Sequence, residues 1–392
     1  MKNVLLSLVL VFIFLTLSCA QKSDYTLTIE NSLDLPRVFE TIEIHKSDLE
    51  LKEGESFENL AVRDLKTKTV LVSQFVDEDL DGEVDVLLFQ PEIGAKSTKA
   101  FELFFSEDVP KPEVIEYCYS RFVPERTDDY AWENNKVGFR TYGPNAQYRF
   151  ENNLKEGTLS SGIDAWLKKV NYSIINSWYK KYTEKTGTYH EDTGEGLDNF
   201  HVGSSRGVGG TAVKLDTTYY ISKNFLSWKT ITTGPIRTSF VLDYGDWEAN
   251  GQIISEKKHI TLDYGSNLSK YDIEVSGVNS LYTGLTLHEN DGETTQNKET
   301  GWISYWQPHG KSELGTAIIV PNNNMLSSEL YLTTLKDRSN LYAEVAVENG
   351  KATFYSGFGW KEAGEFTTKE AWENYLNDFT LKVNTPLIIT FN

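Results

Sequence analysis

The chain has 392 residues, enough for two average domains or one large β domain. Lys and Arg total 38 against 57 Asp and Glu, and the resulting net charge of −19 argues against a nucleic-acid-binding protein, which needs a basic face. The 13% of aromatic residues, with 21 Tyr and 9 Trp, excludes wholesale disorder and is a composition that often accompanies sugar binding. Two cysteines cannot build a disulfide framework.

The first residues have the pattern of a bacterial lipoprotein signal peptide. Lys2 precedes an apolar run over residues 4–17, which is short for a membrane span and typical of a signal-peptide core. Cys19 follows a small residue after that run, as at a lipidation site; ordinary secretion with cleavage nearby is the alternative. We therefore predict a signal peptide over 1–18, a lipidated tether over 19–24, and a lipid anchor in the bacterial cell envelope, at the outer membrane and facing the periplasm or the surface.

Short strand-like segments dominate the rest of the chain. Segments 69–76 and 84–89 flank an acidic turn, and similar alternating or β-branched runs recur to the C-terminus between Gly, Asn and Asp turns. Two segments are predicted helices: 163–170, and 368–379 with apolar residues at helical spacing. These patterns predict a mainly β fold, a large antiparallel β-sandwich with few short helices. We expect one domain over 25–392, with a seam near 107–113.

The acidic turn is a candidate calcium site. Asp77, Asp79, Asp81 and Asp85 place carboxylates in the spacing D-x-D-x-D-G-x-x-D, and calcium prefers six to eight oxygen ligands. The twelfth position is Leu88 instead of Glu, and the flanking segments are strands, so the turn is not an EF-hand. Two interpretations stay open: a structural calcium ion that pins the hairpin, or an Asp-rich hairpin turn without metal.

Arginine is concentrated in the middle of the chain. Six of the nine Arg residues fall between 121 and 237, and Arg is the side chain that binds carboxylate or sulfate in a bidentate manner. A local anion site and structural Arg–carboxylate pairs are the two explanations. The six are Arg121, Arg126, Arg140, Arg149, Arg206 and Arg237.

The same window contains long glycine-rich loops, which on a β scaffold usually carry function. The string Y-H-E-D-T-G-E-G-L-D begins at Tyr189 and includes His190, and S-R-G-V-G-G follows at Ser205. Neither string is a phosphate loop or an H-E-x-x-H zinc motif.

These strings, in order along the chain, resemble one family. An Asp-rich hairpin is followed by W-E-N, F-R-T-Y-G-P, G-I-D-A-W-L-K, Y-H-E-D-T-G-E-G-L-D, S-R-G-V-G-G, G-P-I-R and a terminal W-x-x-Y-L. The succession resembles a family of bacterial lipoproteins of unknown function, encoded among polysaccharide-degrading genes, that includes an oligosaccharide dehydratase of ulvan breakdown. The resemblance implies a supersandwich of the galactose-mutarotase type. It also implies a hydro-lyase that removes water from the non-reducing-end uronic acid of an oligosaccharide and leaves a 4,5-unsaturated uronate.

That reaction needs a group that neutralises the substrate carboxylate, a base for the C5 proton and an acid for the C4 hydroxyl. It requires no cofactor. We expect Arg206 and Arg237 to bind the carboxylate, with Arg140 in reserve, and His190 and Tyr142 to form the base and acid pair. The expected supporting residues are Asp192 or Glu133 to orient His190, Trp132 or Trp302 to stack on a sugar ring, Tyr189 in the substrate site, and His288 and His309 as alternative histidines.

Two other functions fit the same residues. A noncatalytic surface glycan-binding lipoprotein would use the Tyr and Trp content equally well, and a mutarotase- or epimerase-like enzyme would change configuration without elimination. The dense Arg, His and Asp loops favour an enzyme over a binding protein. The expected partner is a uronate-containing oligosaccharide, and the sequence does not indicate an oligomeric state.

Overall fold

The computed structural model describes residues 25–105 and 112–392. The predicted signal peptide, the tether with Cys19 and most of the predicted seam lie outside these residues. Within them, no helix is both long enough and apolar enough to cross a membrane.

Strands account for most of the regular structure in the described part of the chain. The strands, in chain order, are β1 (Tyr25–Asn31), β2 (Ile42–His45), β3 (Leu60–Asp64), β4 (Ser73–Val76), β5 (Val86–Phe89), β6 (Ser97–Phe105), β7 (Tyr119–Val123), β8 (Asp129–Glu133), β9 (Gly138–Thr141), β10 (Asp164–Lys168), β11 (Gly196–Leu197), β12 (Val208–Leu215), β13 (Thr218–Tyr220), β14 (Ser227–Thr232), β15 (Arg237–Ala249), β16 (Gln252–Asp263), β17 (Leu268–Ser276), β18 (Ser280–Thr286), β19 (Glu293–Asn297), β20 (Trp302–His309), β21 (Ser312–Ile319), β22 (Met325–Tyr331), β23 (Asn340–Ala346), β24 (Lys351–Trp360) and β25 (Ile388–Phe391). The α-helices are α1 (Pro144–Glu151), α2 (Ile175–Thr183) and α3 (Lys369–Asn384), and single 3₁₀ turns cover Lys46–Asp48, Phe57–Asn59, Pro124–Arg126 and Lys361–Ala363.

The strands form five antiparallel sheets. The largest has eight strands in the order β14-β15-β16-β17-β24-β21-β20-β19. Two five-stranded sheets have the orders β13-β12-β18-β23-β22 and β11-β10-β9-β8-β7. The N-terminal strands form the sheet β2-β5-β4 and, together with the C-terminal strand β25, the sheet β25-β1-β6-β3. The mainly β, antiparallel prediction is therefore confirmed.

The main core lies between the eight-stranded sheet and the two five-stranded sheets. Ile303 and Tyr305 of β20 and Ile318 of β21 belong to it, together with Trp132 and Phe139 from the opposite layer. The alternate residues of β20 and β21 face the other way and pack against α3. This alternation is the period-two pattern of a strand buried on both faces of a sandwich.

Helix α3 confirms the predicted C-terminal helix. Thr368 caps its N-terminus by accepting a hydrogen bond from the backbone N–H of Ala371. Trp372 and Leu376 lie in a cluster with Trp302 and Trp306 of the large sheet. The apolar stripe of this helix is therefore core packing.

The predicted helix over 163–170 is wrong, because this segment forms strand β10. All five residues of β10 are buried, and the strand pairs with β9 and β11 on either side. A strand covered on both faces loses the apolar–polar alternation by which strands are recognised, so a short apolar run of this kind resembles a buried helix segment.

Candidate active site

Three aspartates surround the buried guanidinium of Arg140. Arg140 donates from Nε to Asp164 Oδ2 at 3.0 Å and from Nη2 to Asp198 Oδ2 at 2.9 Å, and its Nη1 lies 3.8 Å from Asp129 Oδ2. Asp164 is the direct cross-strand partner of Arg140, Asp129 begins the neighbouring strand β8, and Asp198 directly follows β11. The antiparallel order β11-β10-β9-β8 thus gathers these four side chains on one sheet.

The three carboxyl groups around Arg140 carry more negative charge, when all are ionised, than its single guanidinium can neutralise. Burial raises the pKa of Asp129 to about 6, and burial together with the charge of Asp198 raises the pKa of Asp164 well above its usual range. One Oδ1 oxygen on each of these two aspartates has no hydrogen-bond partner among the described residues. The cluster is therefore suited to hold a proton near neutral pH.

Aromatic rings enclose the guanidinium. The ring centroids of Tyr142 and Trp166 lie 5.3 Å from its carbon, and Tyr189 lies 5.7 Å away. Tyr179 donates its hydroxyl to Asp129 Oδ2 at 3.0 Å. Burial, followed by the nearby Asp164 charge, raises the pKa of Tyr142 well above its usual range, so this phenol keeps its proton.

His190 connects the cluster to solvent. Its Nδ1 lies 2.8 Å from the backbone carbonyl oxygen of Asp198 and 3.6 Å from Asp198 Oδ2, while 52% of its side chain is exposed. A carbonyl oxygen only accepts hydrogen bonds, so Nδ1 carries the hydrogen and Nε2 is the basic nitrogen.

The loop geometry depends on Gly196. It adopts φ +110°, and a Cβ there would lie 1.9 Å from the carbonyl oxygen of Leu167. Glycine therefore allows the short strand β11 to pair with β10 and carry Asp198 to Arg140.

An open groove of about 1160 Å³ lies beside His190. Arg126 and Tyr182 are among its lining residues, with the Arg126 guanidinium carbon 5.4 Å from the centroid of the Tyr182 ring. Tyr182 in turn contacts both Tyr189 and His190. The other lining residues are Glu125, Glu156, Lys181, Thr183, Lys185, Thr186, Gly187, Thr188, Glu191 and Thr193.

Four of the residues expected at the site are close together in the structure: Arg140, Tyr142, Tyr189 and His190. Their connection runs through Arg140, whose Nη1 lies 3.3 Å from the Tyr189 hydroxyl and whose Nη2 binds Asp198. Their chemical roles remain predictions.

The two carboxylates expected to orient His190 have other partners. Glu133 is fully buried and accepts hydrogen bonds from Lys168 Nζ and from the backbone N–H groups at the start of α2. Asp192 pairs with Lys169 and accepts from the backbone N–H groups of Gly194 and Gly196. Asp198 takes the place expected for them, because it is the residue that contacts the imidazole.

The two arginines expected to bind substrate are engaged elsewhere. Arg206 is 1% exposed and donates from Nη1 to Ser161 Oγ and to the backbone oxygen of Thr211, inside the sandwich. Arg237 makes a bidentate pair with Asp263 and a second ion pair with Glu43 of the N-terminal layer. The structure does not bring either one to His190, because each is held by its own local partners.

The two tryptophans expected to stack on sugar are core residues. Trp132 is completely buried, with its indole N–H donated to Ser269 Oγ at 3.0 Å. Trp302 is 2% exposed and donates to Asn377 of α3 at 2.9 Å. Neither ring offers a face to a sugar, because sheet and helix neighbours cover both.

His288 and His309 lie together at another place, around the ring of Phe200. Their ring centroids are 4.7 and 6.1 Å from it. His288 Nε2 binds the backbone oxygen of His201, and His309 Nε2 binds Asn199 Oδ1 at 2.9 Å. Burial, and then the neighbouring His288, lowers the pKa of His309 to about 4, so it is neutral at neutral pH. Both histidines fasten the segment that follows Asp198.

The acidic turn forms the loop of the β4–β5 hairpin. Carboxylate oxygens of Asp77, Asp79 and Asp85 lie within 4.8 Å of one another, without Asp81. Asp77 also accepts backbone N–H groups of Leu80, at 2.6 Å, and Gly82, at 2.8 Å, as in an Asx turn. Calcium and a metal-free turn both stay open.

Sequence reasoning missed Arg126, Asp129, Asp164 and Asp198 as site residues. Arg126 and Asp198 were visible in the arginine-rich window and at the end of the loop string that contains His190. Asp164 lay in the segment that was predicted as a helix, and nothing in its local sequence signalled that it faces Arg140.

A family model described as a domain of unknown function, DUF4861, matches residues 29–389. The chain belongs to this family. It is 59% identical to the uncharacterized protein P7 of Formosa agariphila over 393 residues, which covers all of both chains.

Two solved structures from Enterococcus faecalis are similar to this DUF4861 chain at 11% identity. One is a protein of glycosyl hydrolase family 38, with a TM-score of 0.49, and the other is an alpha-mannosidase, with a TM-score of 0.44. Each alignment covers 94% of this chain, which spans only 47% and 46% of those chains, about half of their length.

Proposed function

We propose that this protein is a carbohydrate-active dehydratase that removes water from the non-reducing-end uronic acid of oligosaccharides such as ulvan fragments. The observation that carries the proposal is the pairing of His190 with Asp198, close to a groove whose lining residue Tyr182 contacts the His190 ring. It gives a half-exposed imidazole a basic Nε2 and connects it to a buried cluster with raised carboxyl and phenol pKa values. The resemblance of the sequence motifs supplies the substrate class.

The base in this proposal is His190. Nε2 removes the C5 proton, and the electron pair of that C–H bond becomes the C4–C5 double bond. The C4–O bond breaks, and its electron pair leaves with the oxygen. A half-exposed imidazole suits this role because it meets substrate directly while its other nitrogen is held by Asp198.

The acid in this proposal is Tyr142. Its phenol keeps its proton and passes it to the departing hydroxyl, which leaves as water. The adjacent Asp164, whose pKa is also raised, restores the phenol proton. His190 releases the C5 proton to solvent, and Asp164 takes one proton back from solvent, which returns the enzyme to its starting state. The half-exposed His190 and the buried, protonated Tyr142 support the assignment of the base to His190 and of the acid to Tyr142, a choice between the two residues that the sequence left open.

Arg126 is the guanidinium that we assign to the substrate carboxylate. It lines the groove, where its Nη1 donates to Thr127 Oγ1 at 3.1 Å and its Nε has no hydrogen-bond partner in the described chain. A bidentate contact with the carboxylate would occupy such a donor and draw negative charge away from C5 as the proton leaves. This assignment replaces Arg206 and Arg237.

The experiment is incubation of the mature protein with a saturated, uronate-terminated oligosaccharide, followed by mass and ultraviolet absorbance. Loss of one water with rising absorbance supports the dehydratase. Unchanged mass with altered configuration would indicate the epimerase-like alternative, and affinity without any product would indicate a glycan-binding protein.

A further inference from the structure

We propose that a second cavity, separate from the groove beside His190, binds a single acidic sugar unit. This cavity, called here the Trp360 cavity, has a volume of about 210 Å³. It lies between the end of β10 and the segment that follows β24. Its lining residues are Asn135, Lys136, Val137, Lys168, Lys169, Val170, Asn171, Asn267, Phe358, Trp360, Ala363, Glu365 and Phe366.

Two buried polar groups on the cavity wall lack partners. Trp360 Nε1 is a donor, Asn267 Oδ1 is an acceptor, and neither has a hydrogen-bond partner among residues 25–105 and 112–392. Both residues are only 4% exposed. An unsatisfied buried donor or acceptor costs about 1–3 kcal/mol, so a bound molecule that accepts from one and donates to the other gains from both. A sugar hydroxyl does either.

The orientation of the Asn267 amide is fixed by its other contacts. Its Nδ2 donates to the backbone oxygen of Phe358 at 3.2 Å, and its backbone N–H donates to the Tyr375 hydroxyl at 3.1 Å. Oδ1 is therefore the amide atom left for a ligand. The site is built before any ligand arrives, which lowers the entropic cost of binding.

The charge of the wall favours an anion. Lys136, Lys168 and Lys169 line the cavity with a single acidic residue, Glu365, in a chain whose net charge is −19. Lys168 is satisfied by buried Glu133, whereas Lys136 and Lys169 form partly exposed pairs with Glu365 and Asp192. Such pairs exchange partners at low energetic cost, so their ammonium groups are available to a carboxylate ligand.

The size and the apolar wall of the Trp360 cavity match a single sugar ring. Drug-sized ligands occupy about 300–1,000 Å³, and this cavity is smaller. Phe358, Trp360 and Phe366 provide aromatic surface for the C–H face of a pyranose, and the Lys169 ammonium lies 5.9 Å from the centroid of the Trp360 ring. A uronic acid unit combines the ring, hydroxyls and carboxylate that these groups match. The proposal does not depend on the dehydratase activity.

The test is nuclear magnetic resonance of the full mature protein labelled with ¹⁵N-tryptophan. The indole signal of Trp360 is assigned with the variant Trp360→Phe, and D-glucuronate, D-glucose and sodium sulfate are titrated separately. We expect a saturable shift of the Trp360 signal with D-glucuronate and at least roughly tenfold weaker binding of D-glucose, because glucose lacks the charge. Lys169→Gln is expected to weaken D-glucuronate binding several-fold.

Several results would overturn the proposal. An unmoved Trp360 signal would mean that the cavity holds water only. Equal shifts with D-glucose would show that the cavity does not prefer an acidic sugar. An equal response to sulfate alone would make it an inorganic anion site. His190→Ala serves as the control, because it should bind D-glucuronate at the Trp360 cavity as the wild type does, even if the dehydratase proposal fails. If Trp360→Phe does not fold, Asn267→Asp tests the same wall by placing a carboxylate against the ligand, and undiminished D-glucuronate binding there would contradict the proposal.

Discussion

The backbone carbonyl of Asp198 accepts a hydrogen bond from His190 Nδ1 at 2.8 Å, while the side chain of the same residue accepts one from Arg140 Nη2 at 2.9 Å. One aspartate thus fixes the tautomer of a half-exposed imidazole and belongs to a buried charge cluster. Movement of the loop would change both contacts together. This coupling is the structural basis of the catalytic proposal.

Replacing His190 by Ala should abolish most of the formation of unsaturated uronate. General acid–base catalysis contributes about 10²–10⁴-fold, and the turnover number should fall by that order while circular dichroism stays unchanged. His45→Ala is the matched control, because His45 ends β2 in the N-terminal layer and has no contact with the groove among the described residues. Near-wild-type turnover of His190→Ala would remove His190 from the mechanism.

Replacing Arg126 by Ala should weaken substrate binding and the transition state together. We expect kcat/KM for uronate-terminated oligosaccharides to fall by roughly 10–1,000-fold, because a charge-assisted bidentate contact is lost. Arg126→Lys should restore part of this loss, since Lys keeps the charge without the planar fork. Arg149→Ala provides the control, as Arg149 bonds the backbone of Lys155 outside the groove. Equal kinetics for Arg126→Ala and Arg149→Ala would contradict the assignment.

How far the sequence predicts this molecule depends on the environment of each segment. The α3 stripe and the acidic hairpin are recognisable because each presents one face or one turn with its own periodicity. Strand β10 is not, because it is buried on both faces. Asp164 was missed with it, since its role arises only from pairing with Arg140 across two strands.

The arginines show a second reason for failure. Clustering of Arg along the chain correctly indicated a concentration of charge, yet Arg140, Arg206 and Arg237 each found carboxylates or polar groups within the fold. Sequence spacing does not reveal which partners are near in space. Arg126 differs from them because it lines an open groove. This position arises only when the sheet and the loop at 182–193 come together in the fold.

Asp129 should make the protein less stable as the pH rises through the window from about 4 to 6. Burial raises its pKa from 3.8 to about 6, so between these values the folded state binds more protons than the unfolded state. The Asp129 carboxyl therefore adds to the free energy of unfolding below pH 4, and this contribution is lost above pH 6. The difference in pKa corresponds to a contribution of about 3 kcal/mol. Asp129→Asn should therefore gain stability relative to the wild type as the pH rises.

Urea unfolding of both proteins at pH 4, 5, 6 and 7 measures this effect. The difference in the free energy of unfolding between Asp129→Asn and the wild type isolates the Asp129 carboxyl from the other titrating groups. Parallel curves across the four pH values would show that Asp129 has an ordinary pKa in the folded state.

Calcium should raise the melting temperature of the wild type under the first of the two open interpretations, in which Asp77, Asp79 and Asp85 of the acidic turn hold the ion. A ligand at 100 times its dissociation constant adds about 2.7 kcal/mol, which is several degrees in a thermal melt. Asp79→Asn should lose the response, and Asp81→Asn should keep it because Asp81 lies outside the carboxylate group. An unchanged wild-type melting temperature would leave the metal-free Asp turn as the correct interpretation.

The central claim is that the groove beside His190 catalyses elimination of water from a terminal uronate. The most direct measurement follows the mass and ultraviolet absorbance of a saturated uronate-terminated oligosaccharide incubated with wild type and with His190→Ala. We expect loss of one water and rising absorbance with the wild type, and a rate of both that is at least about 100-fold lower with the variant. An unaltered substrate after prolonged incubation with folded wild-type protein, or equal product from both proteins, would contradict it.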